Sequence, residues 1–395
     1  MLARLLRCFD NPGALLALVV TALLSLGMVM VYSASGPRAG LEANRIAEKK
    51  GIVVEEQFRL HHGSAYFVKQ VMWAGVGLAI AFALLKLPIE HFEKYAPFIF
   101  GATIVLLLLV TFSPLGIKVN GARRWIGFGG FTLQPSEFAK LGLIIFMARM
   151  LAEKREEIRD FKKGFVPSMA VLGFFCALLV LQKDLGTIIL SGTVMVGMWC
   201  LARMRMRHFG TLILLALPVM IFLVLQYSYR LQRILAILDP EKYAMTFGYQ
   251  LNQSLIAVGS GGIFGSGLGF GMQQQHFLSE SHTDFIFAIV GEELGFIGAI
   301  SVCLLFLAYT LIGFRISYKA PDYFSALLAA GLTMMVGCAA FINFFVVLGM
   351  APTKGLALPF FTYGGSSLLA SLIGSVLLIN ISNYSLDMRG GREVA

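Results

Sequence analysis

The chain has 395 residues, 57% of them hydrophobic and 14% charged, with a formal net charge of +10 and a mean hydropathy of +0.78. An ordinary soluble domain is excluded, because a core of this size needs far more polar surface than these residues supply. The excess Lys and Arg is scattered over short loops instead of gathered in one patch, which argues against a nucleic-acid partner.

A helix crossing a ~30 Å hydrocarbon core needs about 20 mostly apolar residues and must satisfy its backbone polar groups internally. The apolar runs here are too long for barrel strands. Ten helical spans are predicted, near 13–34, 65–86, 96–112, 136–152, 165–182, 186–202, 210–229, 285–313, 323–349 and 366–382. The first reads as a signal anchor, since no small-residue cleavage site follows it. The expected fold is therefore an all-α polytopic membrane protein, one membrane domain over 1–395.

Orientation follows from the cations in the short loops. One side carries Arg4 and Arg7, Lys86 and Lys94, then Arg149, Lys154, Arg155, Arg159, Lys162 and Lys163. Arg203, Arg205, Arg207, Arg315, Lys319, Arg389 and Arg392 continue the series. That side is expected to be cytoplasmic, together with both termini and a tail over 383–395. Cys8, Cys176, Cys200, Cys303 and Cys338 lack metal-ligand spacing and read as small hydrophobes.

The opposite face receives the remaining polar stretches. Loop 35–64 mixes charges and reads as a solvated insertion, helical in part. Loop 113–135 carries Asn120-Gly121-Ala122-Arg123-Arg124-Trp125 and ends in Gln134-Pro135-Ser136-Glu137, where Pro135 or Ser136 suits a helix start and Glu137 its first turn. The turn Gln182-Lys183-Asp184-Leu185-Gly186-Thr187 puts charges at an interface. The segment 230–284 is the longest polar stretch and holds the glycine-rich run Gly259 to Gly271. A nucleotide loop is rejected there, because phosphate-cradling glycines follow a strand in an α/β domain. Two readings remain for that run: a loop dipping into the membrane, or one wall of a groove for a lipid-linked substrate.

The segment ends at His282-Thr283-Asp284, directly before the apolar run starting at Phe285. A carboxylate at that junction is placed for acid–base work, or simply for capping the next helix. Arg123, Arg124, Arg233 and Lys354 are candidates for binding a diphosphate, since Arg forks and Lys charges suit phosphate oxygens. Glu292 and Glu293 lie ~12–13 Å further along a helix and ~100° apart, so they read as buried structural partners or as proton-handling groups. Composition and spacing stop at a polytopic membrane protein with a polar site on its outer face.

Several motifs in order carry the reading further: Asn120 to Trp125, Gln134 to Lys140, Asp184 to Thr187, Gly248-Tyr249-Gln250 and Gly259 to Gly262. His282 to Ala288, Gly291 to Gly295 and Tyr363-Gly364-Gly365-Ser366-Ser367 complete the set. Together they resemble the SEDS family of bacterial cell-wall proteins, with its FtsW and RodA branches, over nearly the whole chain. Pro352-Thr353-Lys354-Gly355 followed by Leu358-Pro359 is more like the FtsW branch, of cell division, than the RodA branch, of elongation. Lys183 stands where the family often has proline, Thr362 where it often has serine, and His276 where some relatives carry glutamate.

The resemblance implies a ten-helix peptidoglycan glycosyltransferase polymerising lipid II at the outer face of the cytoplasmic membrane, at the division septum. It implies Asp284 as the essential carboxylate, with His282, Thr283, Lys140, Glu137, Asp184, Glu292, Glu293, Tyr363 and Ser366 supporting it. It also implies a class B penicillin-binding protein as partner, further divisome membrane proteins, and a divalent cation (Mg or Mn) bound with the substrate; no organic cofactor is expected. The alternatives are a lipid II flippase, for which few intramembrane charges and no inverted repeat of broken helices are visible, a RodA-like elongation polymerase, and a non-catalytic scaffold.

Overall fold

The computed structural model describes residues 11–393 except 51–55, 120, 129–130, 227, 240–241, 244, 247, 274–276, 279–281 and 354. Lys354 and His276 thus lie outside the described residues.

The chain opens with two long helices, α1 (Pro12–Lys50) and α2 (Glu56–Leu84), followed by α3 (Ile89–Phe112). A three-stranded antiparallel sheet comes next: β1 (Gly116–Val119), β2 (Ala122–Phe128) and β3 (Phe131–Leu133), in the order β1-β2-β3. Helix α4 (Pro135–Glu153) leads through a π-helical turn, Phe161–Phe165, into α5 (Val166–Leu181). Asp160 caps that turn by accepting from the backbone N–H groups of Lys162 and Lys163, and the Lys163 amide chiefly holds its carboxyl below the usual range. Then come α6 (Leu185–Leu201), α7 (Met206–Leu225) and the two short helices α8 (Ser228–Leu238) and α9 (Tyr249–Ser260). Three long helices close the chain: α10 (Ile286–Lys319), α11 (Tyr323–Val347) and α12 (Gly365–Glu393).

Seven of the described helices are long and apolar enough to cross a membrane, with α6 and the first part of α7 as shorter apolar helices. Helix α4 is 19 residues long and carries Glu137, Lys140, Arg149 and Glu153 in an otherwise apolar run. Each of the ten predicted spans therefore has its helix. The first two helices run on into the stretch read as loop 35–64, and the last continues past residue 382.

Burial separates the centre of the bundle from its rim. Of the most apolar window, 78% is buried in α11 and in α12, against 22% in α2 and in α3. Helices α11 and α12 thus form the core, while α2 and α3 turn most of their apolar side chains outward, as helices do toward lipid. Helix α7 packs chiefly against α8, leaving Leu214, Leu217 and Phe222 exposed. The sheet, the α5–α6 turn and the 348–364 loop lie at one end of the bundle, because α4, α6 and α12 begin there and α3, α5 and α11 end there. The Lys- and Arg-rich turns 154–163 and 203–207 lie at the other end.

Helix α10 is broken at Gly295, whose φ of 65° and ψ of −165° no helix accommodates. The glycine-rich run fills the break. Ser266 and Gly267 donate to the carbonyls of Glu292 and Glu293. Phe296 and Ile297 donate to Gly262 and Ile263. A side chain on Gly265 would strike the Glu293 carbonyl, and one on Gly295 the Gly265 amide. Small residues are needed here because two backbones meet face to face.

Candidate active site

The segment before α10 is held by three successive carbonyls. That of His282 accepts from Tyr363 N at 3.0 Å. That of Thr283 accepts from Thr362 Oγ1 at 3.3 Å. That of Asp284 accepts from Asn343 Nδ2 at 2.9 Å. Thr362 Oγ1 also accepts from Leu358 N at 2.7 Å, closing its own turn. Phe285 is the N-cap of α10, and its ring offers no capping acceptor. The Asp284 carboxylate lies over Gly355, where an added Cβ would come within 3.2 Å of Oδ2.

Asp284 opens into a cavity of about 280 Å³ that also meets Thr283, Arg124, Glu137, Lys140, Asp184, Tyr363 and Ser366. Pro135 starts α4 at its first position, with Gln134 as N-cap, which puts Glu137 in the first turn as the helix dipole favours. One turn on, Lys140 Nζ donates to both Glu137 oxygens at 2.9 Å, and both side chains are largely buried. Ser366 Oγ accepts from Gln134 N at 2.8 Å, tying α12 to α4. Asp184 caps α6 through Thr187 N at 3.2 Å and Thr187 Oγ1 at 2.9 Å, and Ser136 Oγ donates to it at 3.3 Å. Asp184 is thus a structural cap that also forms wall.

Loop 113–135 was expected to offer Arg123 and Arg124 together, but it folds as a sheet. Arg123 pairs with Lys118 and Trp125 with Ile117, so Arg124 is the extra residue of a β-bulge, a feature that re-aims a side chain. Arg124 turns inward, donating from Nε to the Gln182 carbonyl and from Nη2 to the Lys183 carbonyl, each at 2.7 Å. Arg123 turns away, donating to the Ser113 carbonyl at 3.1 Å, and does not line the cavity. Beyond Arg124 lies a second cavity of about 180 Å³ that meets Lys183, Arg230, Arg233, Asp184, Gly355 and the α7 residues Met220 and Val224. Arg233 donates to the Thr353 carbonyl at its edge. The two cavities share Arg124, Asp184 and Gly355 as a common wall. One holds carboxylates and the Glu137–Lys140 pair; the other is dominated by cations.

Other expected residues sit behind the cavity. His282 is buried and packs with Tyr66 and Tyr363, at ring-centroid distances of 5.7 and 6.0 Å. Glu292 and Glu293 do not line either cavity. Glu293 accepts Ser33 Oγ through both oxygens at 2.6 and 2.7 Å, and Gly269 N at 3.0 Å. Glu292 accepts Met272 N at 2.7 Å and Gln273 N at 3.0 Å. Both anchor the glycine-rich run, the structural-partner alternative.

Two residues central to this arrangement escaped the sequence reading. Gln70 on α2 donates to the Thr362 carbonyl at 3.2 Å and accepts from Gly364 N at 3.3 Å. Asn343 binds Asp284 as above. The available signal was a neutral amide inside an apolar run, as in Phe341-Ile342-Asn343-Phe344-Phe345; attention to charges alone passed over it. Below Lys140 a further small cavity of about 10 Å³ meets Leu143, Ile144, Leu190, Ser191, Val194, Met195 and Met335.

Comparison with known proteins agrees with this architecture. The FtsW/RodA/SpoVE family model, described as cell cycle protein, matches residues 14–386. A probable peptidoglycan glycosyltransferase FtsW of Geobacter metallireducens is 41% identical over 377 residues, 95% of this chain and 96% of its own length. Stage V sporulation protein E of Bacillus subtilis is 38% identical over 379 residues, 95% of this chain and 98% of its own. Among solved structures, a chain described under the structural coordination of polymerization and crosslinking by a peptidoglycan synthase complex superposes with a TM-score of 0.74 at 27% identity, covering 94% of this chain and 97% of that one. The rod shape determining protein RodA of Thermus thermophilus superposes with a TM-score of 0.66 at 27% identity, over 93% and 95% of the two chains. With seven described helices long and apolar enough to cross a membrane and a family match over nearly its full length, the chain is a multi-pass membrane protein and belongs to the FtsW/RodA/SpoVE family.

Proposed function

We propose that this protein is a peptidoglycan glycosyltransferase that polymerises lipid II into glycan strands at the outer face of the cytoplasmic membrane, serving the division septum. The observation that carries the reading is the pair of adjoining cavities with Asp284 in one and a cluster of cations in the other. The cavity that continues beneath Lys140 is mostly apolar and, at about 10 Å³, has room for about one water, which favours a reaction chamber over a transport path. The relatives named as FtsW support the septal role.

In this mechanism Asp284 accepts the proton of the 4-hydroxyl of the acceptor N-acetylglucosamine. The freed electron pair attacks C1 of the donor N-acetylmuramic acid, with inversion. The bond from C1 to the diphosphate oxygen breaks, and undecaprenyl diphosphate leaves with that electron pair. Positioned general-base help of this kind is worth about 10²–10⁴ in rate. Lys140, neutralised by Glu137, orients sugar polar groups beside Asp284. Arg124 and Arg233, together with Arg230 and Lys183, offset the charge growing on the leaving diphosphate; Lys354 adjoins Gly355 in sequence and is proposed to share this task. Arg123 is not needed for it.

Among the described residues no three acidic, histidine or cysteine side chains converge as a resident metal centre would require. A divalent cation is proposed to arrive with the diphosphate, as part of the substrate. A class B penicillin-binding protein is the proposed partner, with other division proteins of the membrane, and the solved synthase complex with which the fold superposes supports this.

The test is lipid II polymerisation by the purified protein with a class B partner, in moenomycin to silence classical transferases, for wild type and Asp284→Asn. Glycan ladders from wild type that vanish in the folded, partner-bound variant are expected. Equal ladders from both would remove Asp284 from the mechanism. No ladder from either would turn the reading toward transport or scaffolding.

A further inference from the structure

We infer that Asn343 is a positioning residue for the reaction, a two-pronged clamp that fixes Asp284 over the Gly355 loop. The inference rests on the polymerase reading for its kinetic half and on geometry alone for its structural half.

Asn343 sits in the apolar interior of α11 and is 1% exposed. Its Nδ2 donates to the carbonyl of Asp284 at 2.9 Å and to the carbonyl of Leu356 at 2.9 Å. These two carbonyls belong to segments 72 positions apart in the chain. One segment carries the carboxylate, while the other carries Gly355, against which the carboxylate lies. Each proton of one amide nitrogen thereby fixes one side of the same contact.

The chemistry of the side chain is suited to this and few others are. An asparagine amide offers two N–H bonds diverging from one atom. The reverse amide orientation would set Oδ1 against two carbonyl oxygens, so the donor assignment follows from the partners. Aspartate has the same shape and no donor when ionised. Leucine has the bulk and no polar atom. Serine keeps one donor on a shorter arm and reaches only one carbonyl. Without the clamp both carbonyls lose this donor, and the two segments are no longer tied to one side chain. A reacting group displaced by ~1 Å loses on the order of 10² in rate.

Both hydrogen bonds of the Asn343 side chain go to backbone carbonyls, so its effect on the reaction passes through Asp284 and the Gly355 loop. Ser254 provides the matched control. It is fully buried and donates to the Val347 carbonyl of the same helix at 2.9 Å, but it binds neither segment.

The experiment compares wild type with Asn343→Leu, Asn343→Ser and Ser254→Ala in the full chain in lipid nanodiscs, by hydrogen–deuterium exchange and by lipid II polymerisation with the partner. In both Asn343 variants, peptides covering 282–288 and 355–363 should exchange faster than in wild type, while Ser254→Ala leaves them at the wild-type rate. The value of kcat per folded molecule should fall by about 10²-fold in Asn343→Leu with KM for lipid II unchanged, and less in Asn343→Ser. The serine variant keeps the test open where leucine prevents folding. Unchanged exchange in both segments would overturn the clamp whatever the activity. Faster exchange with wild-type kcat would overturn its role in positioning. A wild-type protein that forms no glycan would defeat the polymerase reading instead, leaving the exchange result to decide the clamp by itself.

Discussion

Glu137 grips Lys140 with both carboxylate oxygens, each 2.9 Å from Nζ, on the first turn of a helix whose start faces Asp284 across one cavity. The pair is a buried ion pair, so its members are not separable. Removing one partner strands the other's charge in a poorly solvated site, at a cost of about 3–5 kcal/mol.

Glu137→Gln is therefore expected to lower the thermal unfolding midpoint and to abolish polymerisation. Adding Lys140→Met to the same chain should restore most of the stability without restoring activity. Unfolding curves and glycan ladders on the three proteins check this; activity regained along with stability would show that the pair is structural alone.

Adjacent arginines should behave differently. Arg124→Lys keeps the charge but loses the fork that spans the carbonyls of Gln182 and Lys183. A raised KM for lipid II and a lower unfolding midpoint are expected. Arg123→Lys, whose side chain bonds the Ser113 carbonyl and does not line the cavity, should leave KM at the wild-type value. A steady-state titration of lipid II with each variant decides it, and equal effects would argue against the strand's division of labour.

Glu292 offers a test between anchoring and proton transfer. A glutamine oxygen still accepts the amides of Met272 and Gln273, so Glu292→Gln should retain polymerisation, whereas Glu292→Ala should loosen the glycine-rich run and lose it. Glycan yield per folded molecule is the measurement. A dead glutamine variant would return Glu292 to the proton-handling role.

The break in α10 predicts opposite signs for two glycines. Gly295→Ala forces a side chain into positive φ and against the Gly265 amide, and should destabilise by about 1–3 kcal/mol. On α9, a Cβ added at Gly259 meets nothing, and Gly259→Ala should stabilise by roughly 0.5–1 kcal/mol. Thermal unfolding of both variants in one lipid composition gives the comparison.

The sequence by itself determined the ten spans, because burying backbone in lipid demands long apolar helices and leaves hydropathy little freedom. It also put Asp284 at the mouth of a helix, and the ordered motifs supplied the family. Contacts between distant segments were decided only by tertiary structure. Arg123 and Arg124 look equivalent until a β-bulge in the folded sheet gives them different partners. Asp184 reads as a charge at an interface until Thr187 and Ser136 occupy it as a cap. Glu292 and Glu293 read either as structural partners or as proton-handling groups until the backbone amides at and just after the glycine-rich run are seen to donate to them. Asn343 is one amide among apolar neighbours, and its meaning appears only when packing brings two carbonyls within reach of one nitrogen. Hydropathy is a property of a single segment and is written along the chain; a hydrogen bond needs two partners, and the fold alone chooses the second.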